Sequence, residues 1–224
     1  MVKKKIILLS ICISCLYQVF SQSIGGIVNT YVQVTGIATN AVTVLNTNGF
    51  SVGDRTLLIQ MKGANINTTN TASFGQIIGL GSAGNFEFSN IASINGNTIT
   101  FTANLCKPFV VGGLVQLIRV PVYTQASVDA MVTAPTWNGT TGGVVAIEAS
   151  NSITFNNVID VSGKGFTGGA VTSGWFSCND PNYASPGTNA GKKGEGVAAA
   201  PMNLEGNRAP LANGGGGSNS GNPG

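Results

Sequence analysis

The sequence predicts an all-β fold: a small antiparallel barrel or sandwich, then a short parallel β-helix-like region, then a glycine-rich tail. Three observations carry this expectation. Beyond the first 21 residues no segment sustains the i, i+3, i+4, i+7 apolar spacing of an amphipathic helix. Short β-branched runs recur every 10 to 20 residues, separated by Asn, Gly, Ser and Asp. The last 62 of the 224 residues hold 16 of the 32 glycines, so the chain ends in a segment whose backbone is costly to order unless something packs on it.

Residues 1–21 read as an export signal. Lys3, Lys4 and Lys5 form a positive start, Ile6–Leu16 a short apolar stretch, and Val19-Phe20-Ser21 a cleavage site ahead of Gln22. The apolar stretch is shorter than the ~20 residues of a spanning helix, so no stable membrane span is expected. Lipid attachment at Cys15 is disfavoured, because Leu16–Phe20 would then open the mature chain. The expected location is secreted or on the outer cell surface, after cleavage near Ser21. Cys12 and Cys15 leave with the signal. Cys106 and Cys178 remain in an oxidising compartment, either as one disulfide or as two separate buried thiols. Without a C-x-x-C in the mature chain, neither a zinc site nor a redox motif is expected.

The next element, residues 22–122, reads as an antiparallel β domain. Its expected strands are Ile27–Val34, Ala41–Leu45, Thr56–Met61, Gly75–Leu80, Phe86–Ile94, Thr98–Thr102 and Leu114–Val120. Asn95-Gly96, between Ile91–Ile94 and Thr98–Phe101, marks a hairpin with a type I′ turn. Val52–Arg55 reads as a turn feeding a buried strand, with Asp54 and Arg55 as a local solvated pair. Residues 123–162 follow with strands at Ser127–Val132, Gly143–Ala149, Ser152–Phe155 and Val158–Val161. The short Asn-containing corners Ser150-Asn151 and Asn156-Asn157 suit stacked parallel coils, where Asn satisfies corner backbone groups. Residues 163–224 are the glycine-rich extension.

Charge and composition exclude several functions. The formal net charge of +3 arises entirely from Lys3–Lys5; the mature chain has 8 basic and 8 acidic residues, and 8 − 8 = 0. It lacks the basic footprint of a nucleic-acid binder. There is no histidine, which removes imidazole as base, shuttle or ligand. Gly163–Gly169 and Gly187–Lys193 lack phosphate-loop spacing and read as turns. Glu148 and Asp160, on successive strands, are the best available carboxylate pair, but Glu148 lies in an alternating stretch that predicts a solvated side chain. Asp160, Asp180 and Glu148 offer calcium-ligating oxygens without a calcium-loop motif. Thr98, Thr100 and Thr102 share a face once, as an ordinary half-exposed strand does. Trp137, Trp175, Phe176 and Tyr183 could form a carbohydrate platform, although Trp137 reads better as a loop anchor. No catalytic, cofactor-binding or metal-ligating residue is therefore assigned, and the chain reads as non-enzymatic.

Several segments are familiar in combination: Val52–Ala64, Trp137–Ala146, Ile159–Phe166, Gly191–Gly196 and Asn213–Gly217, in that order. Together they resemble the N-terminal region of large adhesin-like surface proteins of gliding Bacteroidetes, exported by the type IX secretion system. The resemblance covers most of residues 45–224. It implies a surface module, continued in family members by repeat domains and a C-terminal sorting domain. The expected function is a secreted or cell-surface adhesion module, part of a longer protein, whose partner is a surface polysaccharide or an extracellular protein. The alternatives are a fragment of a β-helical polysaccharide lyase or hydrolase, and a structural subunit of a fibre. N-terminal sequencing of the exported protein should begin at Gln22; a product that keeps Met1 and stays in the cytoplasm contradicts the export signal.

Overall fold

The computed structural model describes residues 21–170, 182–186, 191–212 and 214–217. The export signal before Ser21 lies outside the described residues, as do Trp175, Phe176, Cys178, Asp180 and Asn213. Eleven strands are present among the described residues: β1 (Gln22–Ile27), β2 (Thr30–Ile37), β3 (Ala41–Val44), β4 (Arg55–Gln60), β5 (Asn65–Ile66), β6 (Ile77–Gly79), β7 (Phe86–Asn95), β8 (Thr98–Phe101), β9 (Val115–Val120), β10 (Val122–Thr133) and β11 (Glu148–Phe155).

Six of them close a barrel in the order β2-β3-β8-β7-β4-β9, and each neighbouring pair is antiparallel. Alternation sends one side chain in two inward. Val32, Val34, Val42, Val44, Leu58, Ile91, Ile99, Phe101, Val115 and Leu117 meet in one buried cluster with Phe50. Each such side chain contributes about 1.5–3 kcal/mol by leaving water. Closure leaves the barrel no unpaired edge. One end is plugged by the buried Gln60 amide, which donates to Lys62 O at 2.7 Å and accepts from Val110 N at 2.7 Å.

The remaining long strands form a parallel sheet in the order β1-β10-β11. The barrel is thus an insertion between two parallel neighbours: the chain leaves β1, completes the barrel, and re-enters the sheet at Val122. This corrects the expected single strand Ile27–Val34, which breaks at Val28-Asn29 into a sheet strand and a barrel strand. Ile24, Ala126, Val128 and Val132 form the sheet's buried face. On its exposed face Asp129 accepts from Ser127 Oγ at 2.6 Å and from Asn156 Nδ2 at 2.8 Å. Hydrogen bonds from Ser127, then Ser23 and Asn156, hold its carboxyl below the usual range. Those donors come from β1, β10 and the exit of β11, so one carboxylate ties three coils together.

Two further expectations need correction. The hairpin at Asn95 is present, but its central residues are Gly96-Asn97, and of the two only Gly96 has positive φ (56°). That places glycine first, as in a type II′ turn, rather than Asn-Gly in type I′. The expected strand Gly143–Ala149 begins only at Glu148 and runs on to Phe155.

Residues 142–147 pair instead with side chains. Gly142 donates to Gln116 Oε1 at 2.9 Å, and its carbonyl accepts from Gln116 Nε2 at 3.2 Å. Val144 O accepts from the Tyr31 hydroxyl at 2.6 Å. Ala146 donates to Asn29 Oδ1 at 3.1 Å and accepts from Asn29 Nδ2 at 2.6 Å. Alternate residues of the segment are thus read by three side chains of the barrel and its entry, as a neighbouring strand would read them. Gly142 sits at φ 108°, and a Cβ there would lie 2.8 Å from Thr136 O, so both the space and the φ exclude a side chain. Val144 and Ala146 pack on Leu57, Ile118 and Val120 outside the barrel. Val145 and Ile147 pack on the parallel sheet.

The described part of the glycine-rich segment covers the β5–β6 hairpin. Phe74 packs with Ala184, Ala209 and Leu211, and Ala64 with Ala198 and Ala212. Its glycines allow backbone to lie on backbone: a Cβ at Gly196 would collide with Ala212 O, and one at Gly216 with Arg208 O.

The side-chain ladder yields a stability prediction. Asn29→Ala removes three partly buried hydrogen bonds, the two to Ala146 and one to Arg119 O at 3.0 Å, and should lower the unfolding free energy by about 2–4 kcal/mol. The exposed control Asn151→Ala should stay within about 0.5 kcal/mol. Urea denaturation followed by circular dichroism reads both, and equal midpoints for the two variants would reject the ladder's role.

Candidate functional site

The cover supplied by Val144 and Ala146 ends over β4. The adjacent strand β7 is left bare on its outer face. Leu57 faces Phe88 and Ile59 faces Phe86 in register. Leu57 is buried beneath the cover, whereas Phe86 is 48% and Phe88 41% exposed. Glu87, on the opposite parity, turns away and accepts from the backbone N–H groups of Cys106 (2.9 and 3.1 Å) and Lys107 (3.1 Å). It thereby fixes the loop that carries Lys107.

The two rings stand edge to face, with centroids 6.3 Å apart and planes at 83°. Lys107 Nζ lies 4.9 Å from the Phe86 centroid, and the Arg55 guanidinium 5.2 Å from that of Phe88. Such contacts are worth about 0.5–1 kcal/mol each at exposed sites, which favours the observed ring positions roughly two- to fivefold. Arg55 also donates from Nη1 to Asn90 Oδ1 at 3.1 Å and from Nε to Glu148 Oε2 at 3.0 Å. The result is a continuous exposed strip, Glu148–Arg55–Phe88–Phe86–Lys107, flanked by Asn90. Exposed aromatic area with fixed polar neighbours is the surface type that binds partners.

The expected pair Asp54–Arg55 is not formed. Asp54 pairs with Arg119 at 3.0 Å and accepts from Ser51 N, while Arg55 reaches Glu148. Adjacent strand residues point to opposite faces, which sends the two charges apart. Glu148 and Asp160 are not brought together either. Glu148 is in register with Val122, and Asp160 N bonds to Val132 O. Ten residues of β10 between them put the two roughly 30 Å apart at ~3.3 Å per residue. Asp160 is held low by its hydrogen bonds from Ser162. Trp137 is buried and sits edge to face with Phe166 at 5.5 Å, the loop anchor rather than a platform member. Tyr183 lies beneath Arg208, 4.3 Å from its guanidinium. Cys106 is an exposed free thiol; its expected partner Cys178 lies outside the described residues. Among the described residues no three His, Cys, Asp or Glu side chains gather as metal ligands.

The rings of the strip escaped the sequence reading, which placed the candidate aromatic platform at Trp137, Trp175, Phe176 and Tyr183. The available signal was Phe86-Glu87-Phe88 inside an alternating strand, two large apolar residues on the face opposite Ser89 and Ile91.

Two lysines are buried elsewhere in the molecule. Lys62 pairs with Glu195 at 2.6 Å and lies 5.3 Å from the Phe166 centroid. Burial pushes the Glu195 carboxyl up, but hydrogen bonds from Lys62 and Thr167 outweigh this and hold it below its usual range. Lys193 donates to the carbonyls of Tyr183 (2.9 Å), Asn207 (2.9 Å) and Ala209 (2.5 Å), and caps the Phe74 ring at 4.8 Å. Burial pushes its ammonium down to about 8. All three N–H groups are used on backbone, so Lys193 clamps the glycine-rich segment and faces no open cleft.

No protein-family model matches the chain, and no curated protein does. Solved structures that align with it include three phage tailspikes. The phi297 Pseudomonas phage tailspike gp61 is 13% identical, with a TM-score of 0.28, over 57% of this chain and 18% of that one. The Gp54 tailspike of Acinetobacter baumannii bacteriophage AP22, solved in complex with A. baumannii capsular saccharide, is 10% identical, with a TM-score of 0.32, over 58% and 22%. The tailspike gp49 of Pseudomonas phage LKA1 is 13% identical, with a TM-score of 0.28, over 61% and 24%. The aligned part spans about a fifth of the length of each.

The Lys193 clamp makes a pH prediction. Its folded pKa lies near 8, below the ordinary lysine value of 10.5, so the unfolded chain binds the extra proton between these values. Stability attributable to this group therefore rises as pH goes from about 8 to about 10.5. The difference in unfolding free energy between wild type and Lys193→Met should grow over that window; a flat difference rejects the depressed pKa.

Proposed function

We propose that the chain is a secreted or cell-surface adhesion module, part of a longer protein, that binds polysaccharide through the β7 strip. The observation that carries this reading is the exposed pair Phe86 and Phe88, each ring held by a cation and bordered by side chains able to hydrogen-bond. Phenyl rings offer apolar faces to sugar C–H groups, and fixed rings lose little conformational entropy on binding. The centroid spacing of 6.3 Å is comparable with the length of one pyranose residue in an extended glycan.

Other features support the same reading. The mature chain is charge-neutral. Among the described residues no helix is long and apolar enough to cross a membrane. Within this proposal, export by the type IX route and a place at the N-terminus of an adhesin-like protein are what the resemblance implies. A glycan-cleaving reading gains no support from Glu148 and Asp160, which stand far beyond the roughly 5–9.5 Å that paired glycosidase carboxylates require.

The test is binding of the purified mature chain to a panel of bacterial surface polysaccharides by calorimetry. Phe88→Ala should weaken binding at least about tenfold, a loss of ~1.4 kcal/mol, with an unchanged circular dichroism spectrum. A wild-type chain that binds no polysaccharide, or a folded Phe88→Ala that binds as well as wild type, sinks the proposal.

A further inference from the structure

Resting on that reading, we infer that the strip takes uncharged polysaccharide, recognised by neighbouring hydroxyls, and discriminates against acidic glycans. Three charged side chains border the rings, Arg55 and Lys107 positive and Glu148 negative. A fourth, the Glu87 carboxylate, sits on the other face of β7 against the loop that carries Lys107, so the four together sum to zero. Pairing matters more than the sum. A guanidinium grips a carboxylate through two parallel N–H groups. In Arg55 the Nε side of the fork is taken by Glu148 and Nη1 by Asn90. Lys107 stands over Phe86, and its own backbone N–H is bonded to the Glu87 carboxylate, so a negative charge is held against its backbone. A uronate entering the strip would find no free guanidinium fork, one carboxylate beside Phe88 and a second behind the loop of Lys107.

The same contacts leave groups suited to hydroxyls. Glu148 uses Oε2 on Arg55, which leaves Oε1 as an acceptor. Asn90 uses Oδ1 on Arg55, which leaves its NH₂ as a donor. Both are positioned by one arginine beside the Phe88 ring. An acceptor and a donor next to an apolar face match two neighbouring hydroxyls above the C–H face of a neutral sugar.

The purified chain should be titrated with a neutral glucan and with a polyuronate, each at about 50 mM and about 0.5 M NaCl, where screening lengths differ several-fold. The wild type is expected to prefer the glucan, with an affinity that changes less than about twofold with salt. Glu148→Gln removes the charge partner of Arg55 and raises the charge at the strip by one. It should raise polyuronate affinity about fivefold or more at low salt and lose that gain at high salt. A wild type that prefers polyuronate, or whose glucan binding collapses with salt, overturns the inference and leaves the polysaccharide reading intact. A Glu148→Gln variant with wild-type polyuronate affinity overturns it as well. A chain that binds neither glycan overturns the inference, and the panel of surface polysaccharides then decides the underlying reading.

Discussion

The structure turns on three side chains that act as a strand. Gln116, Tyr31 and Asn29 hold Gly142, Val144 and Ala146 at alternate positions, all from one side. The held segment is the shared cover of two cores, since its even-numbered residues close the outside of the barrel and its odd-numbered ones close the parallel sheet. An apolar residue at 29 or 116 would bury peptide groups without partners, at about 1–3 kcal/mol for each. Because the spacing is strictly i, i+2, i+4, a slip of one residue would exchange the faces and strip both cores at once. The ladder therefore sets register as well as supplying energy.

A second junction works by the same logic with charge. Lys62 from the loop after β4, Phe166 from beyond the parallel sheet and Glu195 from the glycine-rich segment meet in one cluster. Glu195 also exchanges backbone and side-chain bonds with Thr167. Where glycines bring backbones together there are few side chains to bury, so polar pairing must do what apolar packing does elsewhere. Lys193 supplies it, one ammonium satisfying three carbonyls. Neither lysine was distinguishable from a solvated surface charge in sequence, because the partners that bury it come from 10 to 133 residues away.

The legible parts were those governed by local rules. β-Branched alternation marked the barrel strands Ala41–Val44, Arg55–Gln60 and Val115–Val120 to within a residue or so. Of the two Asn-containing corners, Asn156-Asn157 is present and ties the end of β11 to Asp129; Ser150-Asn151 is no corner but an irregularity inside β11, where the register with β10 shifts by one residue. What escaped was non-local. Gly143–Ile147 has every property of a strand, and only the folded chain shows that its partners are side chains. β1 pairs with a strand about one hundred residues later, and no local pattern announces a barrel inserted between them. The strip was hidden for a similar reason: Phe86 and Phe88 lie in an expected strand whose sequence does not say which face is covered, and Arg55 read as the partner of Asp54 until strand pairing set it beside Asn90.

The position of the strip follows from that insertion. The parallel sheet and its cover occupy the flank of the barrel formed by β2, β9 and β4. Barrel order then places β7 next to the covered flank but outside it. Its outer rings cannot be buried by the cover, and they are not replaced by polar residues. They border the seam, because Arg55 lies on β4 and its partner Glu148 is the first residue of β11. The ion pair that orders the strip is therefore also a contact between barrel and parallel sheet. Any ligand that draws on Glu148 acts on both halves of the molecule, and the strip can hold its geometry only while the side-chain ladder keeps those halves in register.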